Sequence, residues 1–146
     1  LPNYNFKKDK LLGDSAEDKV IEMLKENGYN DAYRVDGKES RWDIVVPSVN
    51  ITIEVKNDIM AATTGNLAIE LYKKSGEPSG LMASEATMWI IFACDEIYRL
   101  DTAKLKEYIS NNTNHRIVMG GDRWASQMML IPIIVLKEQD FFKKIG

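Results

Sequence analysis

Apolar residues recur along this chain at two spacings, and the change from one to the other sets the order of elements. Ala16, Val20, Ile21, Met23 and Leu24 form a stripe at helical spacing, which predicts a helix from Ser15 to Asn27, stopped by Asn27-Gly28. The period then shortens to two. Tyr33 to Val35 starts a strand, and Arg41–Val46 and Ile51–Lys56 make two longer ones joined through Pro47-Ser48-Val49-Asn50. Asn66–Tyr72 alternates with Leu67, Ile69 and Leu71 on one face, and the breakers Gly76, Pro78 and Gly80 mark Lys74–Gly80 as a loop. Met88–Ala93 is continuously apolar, as in a strand buried on both faces, and Ile97–Leu100 reads as another strand. Asp101 caps a helix to about Ser110 with Leu105, Tyr108 and Ile109 inward. Gly120-Gly121 marks a turn, and Leu130–Val135 is a strand that Pro132 pushes toward a sheet edge. A short helix holding Phe141 and Phe142 closes the chain. This order predicts an α/β (α+β) fold with a mixed central β-sheet flanked by helices, and with no linker or repeat, residues 1–146 read as a single domain.

The strands around Pro47–Asn50 carry the candidate chemistry. Symmetric pairing about Ser48-Val49 sets Val46 against Ile51, Ile44 against Ile53 and Trp42 against Val55, an apolar face. The other face then brings Arg41 to Lys56, Val45 to Thr52, and Asp43 across from Glu54. Opposed residues lie roughly 4.5–5.5 Å apart at Cβ, so two facing carboxylates repel and call for a cation. Mg²⁺ suits them, being a hard ion that takes oxygen ligands and keeps several waters. Such an ion polarises a phosphate oxygen and acidifies bound water, and Lys56 on the same face is placed to position that water or stabilise charge at phosphorus. An acid-x-Lys triplet alone says nothing, since Glu17-Asp18-Lys19 and Asp36-Gly37-Lys38 also occur. The plain alternative is an exposed polar face on which Arg41 and Lys56 neutralise the acids.

Length, charge and single residues narrow this further. With 146 residues, 45% apolar and 28% charged, the chain can bury a core of its own. The net charge of −3 argues against coating nucleic acid through bulk charge. Basic residues still cluster at Lys7, Lys8 and Lys10, at Lys73 and Lys74, and at Lys143 and Lys144. Cys94 is the only cysteine, so no disulfide forms within the chain, and a reducing, cytoplasmic setting is expected. No signal-peptide pattern opens the chain, Leu1 in place of Met suggests a trimmed or tagged one, and no apolar run is long enough to span a membrane. His115 is the only histidine, which excludes a His-pair zinc site.

A helical glutamate, a strand ending in Asp43 and a strand ending Glu54-Val55-Lys56 together resemble the PD-(D/E)XK nuclease superfamily, in particular phage-encoded endonucleases and Holliday-junction resolvases. Thr64-Gly65-Asn66-Leu67-Ala68-Ile69-Glu70, then Pro78-Ser79-Gly80, is similar to the phage members, and the resemblance spans roughly residues 13–100. Trp42 stands where the motif has proline. The resemblance implies a restriction-endonuclease-like core and Mg²⁺-dependent hydrolysis of DNA phosphodiesters, with Mn²⁺ as a substitute and a homodimer as the working form. It makes Asp43 and Glu54 metal ligands with the Val55 carbonyl, Lys56 a catalytic group, and Glu17 an auxiliary acid.

Several residues keep two readings. Glu17 shares a helix face with Ile21 and Leu24, yet with Asp14 as N-cap it also fits a capping box. Asn66 is read as a nucleic-acid-binding residue, with Lys73 and Lys74, or as an ordinary turn asparagine. Glu70 is a further ligand or a sheet-edge acid paired with Lys73 or Lys74. Two rival functions stand beside the nuclease: a non-catalytic nucleic-acid-binding or assembly module that retains the fold, and a metal-dependent hydrolase of small phosphate esters.

Overall fold

The computed structural model of the chain describes residues 6–36 and 41–146, the side chains of residues 6–14 and 122 excepted. The cluster of Lys7, Lys8 and Lys10 and the triplet residues Gly37 and Lys38 therefore lie outside what is described. The helix α1 spans Phe6–Glu26 and starts well before Ser15. Its end is as expected: Gly28 adopts φ +92°, and the Tyr29 N–H donates to the Leu24 carbonyl at 3.0 Å.

Nine strands follow, interspersed with short helices: β1 (Tyr33–Arg34), β2 (Ile44–Val46), β3 (Ile51–Asn57), α2 (Ala61–Thr64), β4 (Asn66–Lys73), α3 (Gly80–Ala83), β5 (Met88–Ala93), β6 (Glu96–Asp101), α4 (Thr102–Asn111), β7 (Arg116–Gly120), β8 (Ser126–Pro132), α5 (Ile133–Leu136) and β9 (Phe142–Lys144). Six strands make a mixed sheet in the order β1-β2-β3-β5-β6-β9, and three make a second sheet, β4-β8-β7. Only β3 and β5 run parallel, because the chain between them leaves to build α2, β4 and α3.

The large sheet has a core on each face. Val20, Ile21 and Leu24 of α1 pack with Ile44, Val46, Ile53 and Ile90 on one side. The other side is covered chiefly by the second sheet, whose Leu67, Ile69, Met129 and Ile131 meet Trp89, Ile91 and Leu100, with Leu105 and Ile109 of α4 closing the end. Thus the one helix α1 covers one face, and the second sheet with the remaining helices covers the other. The alternation of Leu67, Ile69 and Leu71 is explained, since all three are buried there. Asp101 caps α4 as its position implies, its carboxylate accepting the Lys104 N–H at 2.9 Å.

Three expectations are corrected and one strand was missed: β7 was not foreseen, and its Ile117 and Met119 are exposed, so it adds no buried face. Pro132 does not put its strand at an edge: β8 is the middle strand of its sheet, and the proline is its last residue, where the missing N–H breaks no ladder further on. Ile133–Leu136 leaves the strand as the helical turn α5. Phe142 begins a strand instead of sitting in a helix: it pairs with Leu100 along β6 and stacks on Tyr98, with ring centroids 4.7 Å apart.

Among the described residues, no helix is long and apolar enough to cross a membrane.

Candidate active site

The strand β3 puts its side chains alternately on the two cores. Ile53 faces α1, whereas Glu54 and Lys56 lie opposite Trp89 and Ile91 in the parallel register with β5. The β2–β3 pairing follows the hydrophobic pattern: Val46 against Ile51, Val45 against Thr52, Ile44 against Ile53. Pairing by backbone ladder stops at Ile44, but Asp43 continues it in another way. Its N–H donates to the Ile53 carbonyl at 2.9 Å, its carbonyl accepts the Val35 N–H at 2.8 Å, and its Oδ2 accepts the Val55 N–H at 2.8 Å. Three bonds to two strands thus fix the carboxylate beside β3. Beyond Asp43 the alternation breaks. Trp42 packs against the core that holds Trp89, on the face opposite to the one its position in the pattern implies.

Asp43 lies close enough to act on the charge of Glu54. Burial chiefly pushes the Glu54 carboxyl above its ordinary range; Lys56 pulls it down and Asp43 pushes it up. Lys56 Nζ stands 3.2 Å from Glu54 Oε1 and 5.6 Å from the centroid of the Trp89 ring. The Glu54 side chain is 21% exposed and that of Lys56 48%, so the acid is sheltered while the amine reaches solvent. Arg41 does not neutralise this pair of acids. It bonds Glu85 at 2.6 Å instead, which leaves Lys56 as the counter-charge on this face among the described residues.

The remaining candidates are placed as follows. Glu17, half-buried on α1, forms a close ion pair with Arg34 of β1, which also bonds Asp18 at 2.9 Å. Because α1 begins at Phe6, Asp14 is inside the helix, and the capping-box reading of Glu17 does not apply. Among the described residues no third His, Cys, Asp or Glu joins Asp43 and Glu54 in a group able to hold a metal, so Glu17 is not brought to the pair. Asn66 opens β4 just after Gly65, whose φ is +74°, and its N–H donates to Thr64 Oγ1 at 3.1 Å. Lys73 pairs with Glu77 at 3.5 Å, not with Glu70. The Lys74 N–H donates to the Ala125 carbonyl at 2.6 Å, tying its turn to the start of β8.

One structural residue was overlooked. Asp58, just past β3, accepts the Ala61 N–H at 3.1 Å and the Ala68 N–H at 2.9 Å, and so couples the end of β3 to α2 and β4. Burial raises its carboxyl above the ordinary range, against the lowering by these backbone donors. The bond to Ala61 is local, three residues on, ahead of the N-cap residue Met60, which makes no side-chain cap of its own. The Asp58 bond to β4, ten residues on, carries no local signal.

Lys56, Asp58, Glu70, Trp89 and Trp124 all border one cleft of about 550 Å³. Gly80 borders it too, with φ +48°, pressed so close to β4 that an added Cβ would lie 2.4 Å from the Glu70 carbonyl oxygen. The Pro78-Ser79-Gly80 sequence therefore serves packing beside the cleft. No family model matches the chain, and no curated protein matches it either.

Proposed function

We propose that the chain is a Mg²⁺-dependent endonuclease of the PD-(D/E)XK type, hydrolysing DNA phosphodiesters in a cytoplasmic setting. The observation that carries this reading is the convergence of Asp43, Glu54 and Lys56 beside one another on β3 and its neighbouring chain, with Lys56 also lining a cleft. The donor set fits the ion. The Val55 amide engages one oxygen of Asp43, and the other carboxylate oxygens of the pair are hard donors of the kind Mg²⁺ takes two at a time. Asp43, Glu54 and the Val55 carbonyl would hold it, and Mn²⁺ would substitute. Bound there, the ion supplies Lewis acidity toward phosphate oxygen and a lowered pKa for coordinated water.

The chain's own groups do the positioning. The bond from the Val55 N–H keeps the Asp43 carboxylate from rotating away. Glu54, whose carboxyl is raised by burial and only partly brought back by Lys56, would give the second ligand oxygen. Lys56, anchored over the Trp89 ring and half-exposed, offers its ammonium to a phosphate oxygen or to the attacking water. Lys73, Lys74 and Asn66 would contact the DNA backbone, and a homodimer or a preference for branched junctions would fit the same reading. Supercoiled plasmid, branched DNA, single strands and linear duplex, each with Mg²⁺ and with chelator, test it. We expect Mg²⁺-dependent cleavage that falls about 10²–10⁴-fold in Asp43→Ala and Lys56→Ala. Binding without cleavage, or cleavage untouched by both substitutions, would overturn the proposal.

A further inference from the structure

The β7–β8 hairpin ends in a tip that folding alone does not explain. Arg123 and Trp124 both adopt left-handed backbone conformations, φ +57° and +56°, separated by one residue from Gly121 at +71°. Such conformations are strained for a bulky residue, and turns normally give them to glycine or asparagine. What the strain yields is an indole held out in water: Trp124 is 72% exposed. The Trp124 backbone N–H donates to the Gly121 carbonyl at 3.2 Å, which holds the tip in this form.

The surroundings indicate an occupant. Trp124 borders the cleft that also takes in Lys56, and the exposed Ile59, Met60 and Met119 continue an apolar rim around it. Arg123 precedes Trp124 in the chain and the Lys74 N–H is tied to the hairpin at Ala125, while the charged groups that line the cleft with the indole are Lys56, Asp58 and Glu70. A flat aromatic face that shares its cleft with the Lys56 ammonium matches a nucleobase and its phosphate, which carry a π-surface and negative charge together. The cleft volume is in the range that takes a ligand of that size.

We propose that Trp124 stacks on an unpaired nucleobase, so that the substrate class is DNA with single-stranded or unpaired nucleotides beside the scissile phosphate. The position of the scissile phosphate rests on the nuclease reading above; the stacking does not. The test is binding without divalent metal, followed by anisotropy, to a single strand, to a duplex with one unpaired base and to a fully paired duplex. A 2-aminopurine at the unpaired position reports stacking directly. We expect Trp124→Ala to weaken binding to the first two DNAs about 5- to 150-fold and to abolish the 2-aminopurine quench, with Trp124→Phe retaining most of both and the paired duplex hardly affected. Equal binding by wild type and Trp124→Ala, equal losses on all three DNAs, or no DNA binding at all would overturn the proposal. Trp124-dependent binding without Mg²⁺-dependent cleavage would sink the catalytic reading and support the stacking.

Discussion

Glu54 lies between a positive and a negative neighbour in a sheltered position, and its ionisation reports on both. Removing Lys56 deletes the influence that lowers its pKa, and removing Asp43 deletes one that raises it. We expect Lys56→Met to move the Glu54 titration upward and Asp43→Asn to move it downward, as read by carbon NMR of the side-chain carboxyl. The stability consequence has a definite sign. A carboxyl whose folded pKa is raised above its unfolded value binds its proton more tightly when folded. Ionised Glu54 therefore subtracts from stability above the unfolded pKa, and the deficit disappears as pH falls through that range. Lys56→Met widens it, so its destabilisation, followed by urea unfolding, should be larger at neutral than at acid pH. At this scale the acid-x-Lys on a paired strand was legible, because strand alternation puts Glu54 and Lys56 on one face. The loss of Arg41 to Glu85 and the capture of the Val55 amide by Asp43 were not, since each depends on where the chain goes after the ladder ends.

At the scale of elements, the approach of α3 to β4 shapes the cleft. Gly80 and Gly76 both have positive φ, but only Gly80 has a wall against it; within 4 Å of a Cβ built on Gly76 there is nothing. Gly80→Ala adds steric overlap to backbone strain and should lower stability by about 2–5 kcal/mol. Gly76→Ala meets strain alone, about 1–2 kcal/mol. Denaturant midpoints of the two variants check the contrast, and equal losses would mean that the contact with Glu70 is not tight. The breakers around Pro78 mark a loop in the sequence, but which glycine is pressed against a neighbouring strand is a fact of packing.

For the whole molecule, the two faces of one sheet carry separate cores, so site and scaffold should melt together. Leu105 of α4, fully buried in the core that the second sheet also lines, should cost about 2–5 kcal/mol as Leu105→Ala, and Ile53→Val on the α1 side about 0.5–1.5 kcal/mol. In both variants far-UV circular dichroism and the fluorescence of buried Trp89 should report one coincident transition. A separate early loss of either signal would show that the faces unfold independently.

Local alternation settled a good part of this architecture before any coordinates. It specified the β2–β3 register, because a one-residue slip would take Ile44 off the α1 core that Ile53 shares and set it on the face of Glu54 and Lys56. It also specified the buried β5, whose continuous apolar run suits cores on both sides, and the Asp101 cap, whose bond spans three residues. Tertiary contacts determined the rest. They made Phe142 a strand residue, put exposed β7 in a sheet, sent Trp42 to the opposite core and held Glu17 on Arg34. Each of these depends on partners far away along the chain, whose free energy of pairing and burial outweighs the weak local preferences that a sequence window records.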